Sequence, residues 1–286
     1  MLLVTVTIWA LGFTVTKYAL DNGFQPLAFS ALRFSLAGML FALLTYGREH
    51  SFRLARPHLL LLLGAAFVGI YLNQIAFVYA IDLTNASTTA LIFGTLPIVT
   101  ALFAFAVGVE RLSRRFWAAA GLSFAGVALV ALGGAGGVSS NLTGDLLAFA
   151  GAVTWGMYSV AIAPLMRHYS PYRISVVALS AGAVPLVLTA LPQLLDQDWD
   201  LPGLVWVGFA FAVVGPLVVT NVLWFTAIDR VGPSRATLVT NLQPFLAALF
   251  AVVLLSESIS PLQFVGGAAI ALSLLLARRR PVAEPT

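Results

Sequence analysis

Cysteine is missing from this chain of 286 residues, and charged residues are scarce, at 9% of the total. The first absence excludes disulfides, thiolate nucleophiles and cysteine-held metals. The second excludes an ordinary water-soluble domain, whose composition includes roughly 25% charged residues. Histidine is scarce too. His50, His58 and His168 are scattered over segments assigned below to the cytoplasmic side and form no H-E-x-x-H zinc pattern. Clustered aspartates for magnesium and a Ser–His pair are both missing from the apolar segments, so intramembrane prenyl transfer and serine proteolysis are not expected. The reading is of a chain that is not an enzyme and needs no cofactor or metal.

Apolar sequence fills the space that charge leaves: 60% of residues are hydrophobic and the mean hydropathy is +0.97. Runs of about 20 apolar residues recur throughout, each able to cross a hydrocarbon core about 30 Å thick. The runs are continuous, whereas a transmembrane barrel alternates over segments of about ten residues. In lipid each segment must then close its own backbone hydrogen bonds, which means helices. Loop signals divide the chain into ten spans, at about 2–20, 26–46, 57–80, 84–108, 115–133, 143–164, 171–191, 202–227, 233–254 and 261–277. Pro26, Pro57, Pro171, Pro202, Pro233 and Pro261 stand at span starts, where a missing N–H costs nothing. Residues Met1 to Leu20 carry no basic n-region and read as the first span, not as a cleaved signal peptide.

The few charges are sorted by side. With the N-terminus inside, 13 of the 15 lysines and arginines fall in inner loops or the tail, and Lys17 and Arg33 lie within spans. The outer loops hold Asp21, Asp82, Asp196, Asp198, Asp200 and Glu257 and no basic residue. The positive-inside rule therefore puts both termini in the cytoplasm. It also accounts for the net charge of +4 without nucleic acid. Lys17, near the outer end of its helix, is expected to snorkel. Arg33 lies deeper, and is expected to pair with Asp82 or Glu257 or to snorkel alone. No acidic residue is predicted near the bilayer centre, which argues against tight proton coupling.

The chain also matches itself. At an offset of 147 residues, 80–110 (AIDLTNASTTALIFGTLPIVTALFAFAVGVE) and 227–257 (AIDRVGPSRATLVTNLQPFLAALFAVVLLSE) share 11 of 31 positions, among them Pro97 with Pro244 and Glu110 with Glu257. Trp9 and Trp155 correspond at 146. Each half, 1–137 and 138–286, holds five predicted spans, so the halves enter the membrane in opposite senses. Inverted repeats of this kind place a substrate site at their interface near the midplane.

In these blocks the sequence resembles the drug/metabolite transporter superfamily, and within it the EamA-type exporters. The likeness rests on a tryptophan in the first span of each half, the Ala-Ile-Asp triplets, the helix with a central proline and the loop glutamate. The segments GLSFAGVALVAL (121–132) and QFVGGAAIALSLLLA (263–277) also resemble the glycine-containing final helices of the family. The resemblance implies a basket of ten helices in a bacterial cytoplasmic membrane, acting as a monomer. It also implies export of aromatic and other neutral amino acids, or related metabolites, by alternating access.

In such a family the cavity is expected between the first, third and fourth spans of each half. Polar and aromatic residues at mid-depth there are the candidates: Tyr71, Asn73, Gln74 and Phe77; Asn221 and Trp224; Asn241 and Gln243; and Trp9, Trp155 and Tyr158. Amides suit an ammonium and a carboxylate without holding them too tightly, and rings suit an apolar side chain or a cation. Pro97 and Pro244 are expected to break their helices and free a carbonyl. A broad drug exporter is the alternative. A nucleotide-sugar carrier would want several buried cations, and a channel would want rings of residues from an oligomer.

Overall fold

The computed structural model describes residues 1–83, 86–133, 141–246, 249–250 and 260–277, and every regular element among them is helical. In chain order these are α1 Leu2–Asp21, α2 Pro26–Glu49, α3 Arg56–Leu83, α4 Ala86–Phe93, α5 Leu96–Ala106, α6 Arg114–Gly133, α7 Leu142–Ile162, α8 Pro171–Asp196, α9 Gly203–Val231, α10 Pro233–Thr240 and α11 Pro261–Ala277. Among the described residues, seven helices (α1, α2, α3, α6, α7, α8 and α9) are long and apolar enough to cross a membrane. Leu91–Ala106 and Pro261–Ala277 are apolar but shorter. The expected span at about 233–254 lies partly outside the described residues.

Local signals account for most boundaries. Pro26, Pro171, Pro233 and Pro261 each open a helix, Pro57 is the second residue of α3, and Pro202 caps α9. Asn141, which with Thr143 matches a glycosylation pattern, instead caps α7 by accepting from the Gly144 N–H at 3.1 Å. At the start of α2 the first-turn N–H groups have no intrahelical acceptor. Gln193 near the end of α8 supplies one, its Oε1 accepting from Leu27 N at 2.7 Å and Ala28 N at 3.3 Å. Gln197 does the same for Gln25 N at 2.7 Å. At the opposite end of the same pair, Glu49 binds Arg173 at 2.8 Å and accepts from Ser170. His58 and His168 stack there with ring centroids 5.0 Å apart, so two of the histidines scattered in sequence meet in space.

The helices pack chiefly as two long pairs, α2 with α8 and α6 with α11; α3 lies against α7 and α1 against α9. The second long pair depends on glycine. A Cβ on Gly126 would lie 2.7 Å from the Gly266 carbonyl oxygen, and one on Gly266 would lie 2.5 Å from that of Gly126. Small residues let membrane helices approach to backbone contact, the main source of helix association where lipid is as apolar as leucine. The largest buried cluster joins α2, α3, α8 and α9, with Phe29, Phe41, Leu62 and Trp224 in it. Leu43, Phe105, Leu188 and Phe264 point outward and exposed, the arrangement a lipid-facing surface requires.

Several helices are irregular at mid-length. Residues Phe67–Leu72 of α3 and Val214–Val219 of α9 form π-helical segments, and α4 and α5 are separated by a break at Gly94 and Thr95. A second break, at Asn241 and Leu242, follows α10. Both kinds of irregularity recur at the offset of 147 residues. Pro97 lies in the first turn after its break, and Pro244 holds the same place after the second.

Gly266→Val is expected to force α6 and α11 apart and to lower stability by about 1–3 kcal/mol. Thermal unfolding in detergent measures this, and Leu272→Ala, at an exposed position of α11, is expected to leave it nearly unchanged.

Candidate functional site

The irregular segments surround one cavity of about 200 Å³. Non-helical backbone at membrane depth is tolerated where it lines a cavity or is buried in protein, and both apply here. The break at Gly94 leaves its carbonyl outside the helical ladder, and the Asn241 side-chain amide donates to it at 3.3 Å. The same amide donates to Ser123 Oγ at 2.9 Å. On α9, the Pro216 carbonyl within the π segment accepts the Trp9 indole N–H at 3.2 Å, and Thr220 Oγ1 lies 2.9 Å from the same nitrogen.

Much of the lining is aromatic. Trp9 meets Trp155 edge to face with centroids 5.7 Å apart, and Trp155 meets Tyr158 at 5.5 Å. All three line the cavity. Tyr158 reaches this position because residue 69 is glycine: a Cβ there would collide with the Tyr158 side chain. Phe77, with Phe13 at 5.2 Å and Phe93 at 6.3 Å, forms a second aromatic group on the lining.

Amides share the lining with these rings. Asn73 donates to the Gly151 carbonyl at 2.8 Å and to Thr154 Oγ1 at 3.0 Å, while its own oxygen accepts from Gln74 at 3.4 Å. Asn221 donates to the Leu217 carbonyl at 2.5 Å. Asn73, Gln74, Asn221 and Asn241 are buried from the outside and face the cavity, and Gln243 and Pro244 complete that side.

Two cavity candidates, Tyr71 and Trp224, lie elsewhere, as does Pro97, whose expected role is only to break its helix. Tyr71 sits in the π segment of α3, where its hydroxyl pairs with Thr189 Oγ1 at 3.0 Å, off the cavity lining. Trp224 is wholly buried behind the lining, 5.0 Å from Trp9 and 6.3 Å from Trp155. Pro97 is buried beyond the break and does not touch the cavity. Conversely, Phe13 and Thr16 join the lining with Trp9, and their helical spacing after Trp9 is the signal that points to them.

The two charges within spans behave differently. Lys17 pairs with Asp21 at 2.9 Å on an exposed surface, a contact worth little. Arg33 was expected to reach Asp82 or to snorkel, and does neither. Asp82 is exposed and does not pair with it, and Glu257 lies outside the described residues. Arg33 is 5% exposed and lines the cavity, donating to Gln74 Oε1 at 2.8 Å.

The EamA-like transporter family model matches the chain twice, over residues 1–132 and 142–279. The chain belongs to the EamA-like transporter family. This EamA-like protein is therefore a multi-pass membrane transporter. It is 27% identical over 280 residues to a probable terminal-alkyne amino-acid exporter of Streptantibioticus cattleyicolor, covering 98% of this chain and 92% of that protein. It is 25% identical to the uncharacterized inner membrane transporter YedA of Escherichia coli K12, over 94% of this chain and 86% of the other. The uncharacterized transporter YetK of Bacillus subtilis is 23% identical over 84% of this chain and 74% of its own length. A solved crystal structure shares the fold, with a TM-score of 0.79 at 21% identity over 96% of this chain and 94% of that one.

Within this transporter, Gly69→Ala is expected to displace the Tyr158 ring towards Trp155 and close part of the cavity. A fall in transport rate of at least about tenfold, equivalent to 1.4 kcal/mol, with normal yield of folded protein is the expected result.

Proposed function

We propose that this transporter exports amino acids, aromatic and other neutral ones, or related small metabolites. The observation that carries this is the cavity itself, whose lining combines tryptophan and tyrosine rings with buried amides. An amino acid needs a surface of each kind, and Trp9 and Trp155 can also face its ammonium. The relative named as a probable amino-acid exporter supports the same class of cargo. Within the family, the likeness proposed is to the aromatic amino acid exporter YddG.

The architecture proposed for this is ten spans in two inverted halves, 1–137 and 138–286, working as a monomer. Its support is two π segments and two helix breaks that match at an offset of 147 residues, together with two successive family-model matches. Transport then proceeds by alternating access, one half rocking against the other around the central site. Both termini face the cytoplasm of the bacterial inner membrane, as the sorting of the basic residues favours. The contact of Glu110 with Ser234 N at 3.1 Å ties the loop after α5 to the start of α10 and suits a closure on that side.

A broad-specificity exporter is the second reading, favoured by the phenylalanines at the lining. Nucleotide-sugar carriage is disfavoured because among the described residues Arg33 is the single basic side chain on the cavity.

Uptake of labelled phenylalanine or tryptophan into proteoliposomes tests the proposal, with unlabelled threonine, methionine and a sugar as competitors. The expected result is saturable uptake with counterflow, competed by amino acids and not by the sugar. Equal competition by all would favour the broad exporter. No uptake above protein-free vesicles, with folded protein, would remove the amino-acid assignment.

A further inference from the structure

We propose that Arg33 is the carboxylate-binding element of the cavity and restricts its cargo to molecules bearing a carboxylate. This deepens the amino-acid reading above and rests on it. Arg33 stands in α2, among the buried residues of that helix; it lines the cavity, and its guanidinium is hydrogen-bonded to Gln74, another lining residue. Arg33 takes part in neither the Lys17–Asp21 nor the Arg173–Glu49 ion pair, and among the described residues no carboxylate pairs with it. Its Nε is buried and has no hydrogen-bond partner. Its guanidinium carbon lies 5.1 Å from the Phe29 ring and 5.4 Å from the Phe34 ring. Ring faces stabilise a cation but accept no conventional hydrogen bond from Nε.

A cation held at membrane depth without a counter-charge is costly and marks a functional position. Water in the cavity relieves part of that cost, and an arriving carboxylate relieves more. Arginine suits this because its planar fork donates two parallel hydrogen bonds to a carboxylate.

A chain of amide hydrogen bonds holds the fork in place. Asn73 donates its N–H groups to Gly151 and Thr154, which leaves its oxygen to accept from Gln74. Gln74 in turn presents its own oxygen to Arg33 Nη2. That relay occupies one terminal nitrogen and leaves donors on the guanidinium for a ligand. Among the described residues no acidic side chain lines the cavity. A free amine therefore meets a fixed positive charge with no compensating negative one, and a zwitterion brings its own. The predicted order is carboxylate-bearing cargo first, amides and amines of the same ring system far behind.

The test is competition of labelled tryptophan uptake by indole-3-propionate, which keeps the carboxylate, and by tryptamine and tryptophan amide, which lack it. In the native transporter, indole-3-propionate is expected to compete and the other two to compete at least tenfold more weakly. Arg33→Gln is expected to raise the KM for tryptophan at least tenfold and to abolish that discrimination, with Arg33→Lys recovering part of both. Unchanged KM and discrimination in folded Arg33→Gln would overturn the proposal, as would equal competition by tryptamine in the native protein.

If the native transporter carries no tryptophan, thermal stabilisation by the same compounds reads Arg33 independently. Stabilisation by the carboxylate alone, lost in Arg33→Gln, upholds the anchor while the amino-acid reading fails. No difference between the compounds sinks the anchor as well.

Discussion

The hydrogen bond from the Asn241 amide to the Gly94 carbonyl is the contact on which the centre of this molecule depends. Each group stands at a break in its helix, and the two positions are 147 residues apart. In lipid an unpaired carbonyl is expensive, so a break survives only where something else accepts or donates. Here each break lies beside the other, and the side chain at one satisfies the backbone at the other. Ser123 on α6 holds the same amide at 2.9 Å. The central irregularity is thereby locked to the tightly packed pair α6 and α11.

The rest of the cavity follows from the same constraint. The π segments of α3 and α9 widen their helices where Gly69 and Pro216 occur, and each is used. The glycine admits Tyr158 and the proline's carbonyl receives Trp9. Amides that would be unfavourable against lipid pair among themselves and with backbone, and face inward. The consequence is a small chamber lined by both aromatic rings and oriented polar groups. Around it, the ends of α2 are fixed to α8 by Gln193 and Gln197 at one end and by Glu49 with Arg173 at the other.

Much of this was readable in the sequence, because in a membrane the governing signals are long and strong. Apolar runs marked the long helices, and Pro26, Pro171, Pro233 and Pro261 marked helix starts to the residue. Mid-span amides were recognisable as cavity candidates since lipid disfavours them. Tyr71 lies off the cavity lining for a reason of geometry. It lies inside a π segment, where one extra residue per turn rotates its neighbours by about 100°, and hydropathy carries no trace of that insertion. Trp224 matches Phe77 in the repeat yet lies behind Trp9 and Trp155, because tryptophans from three helices cannot all occupy the front of one small cavity. Arg33 was placed at the right depth but with the wrong partner; only the fold shows that Gln74 lies within reach and Asp82 does not.

If this chamber is the transport site, it must be reached in turn from the two sides of the membrane. The absence of native cysteine makes a direct measurement possible: Thr240→Cys, at a buried lining position of similar size, alkylated by a membrane-impermeant thiol reagent from each side. The account predicts labelling from both sides, slowed by a transported amino acid in each case. Labelling from one side only, or rates that substrate does not change, would contradict it.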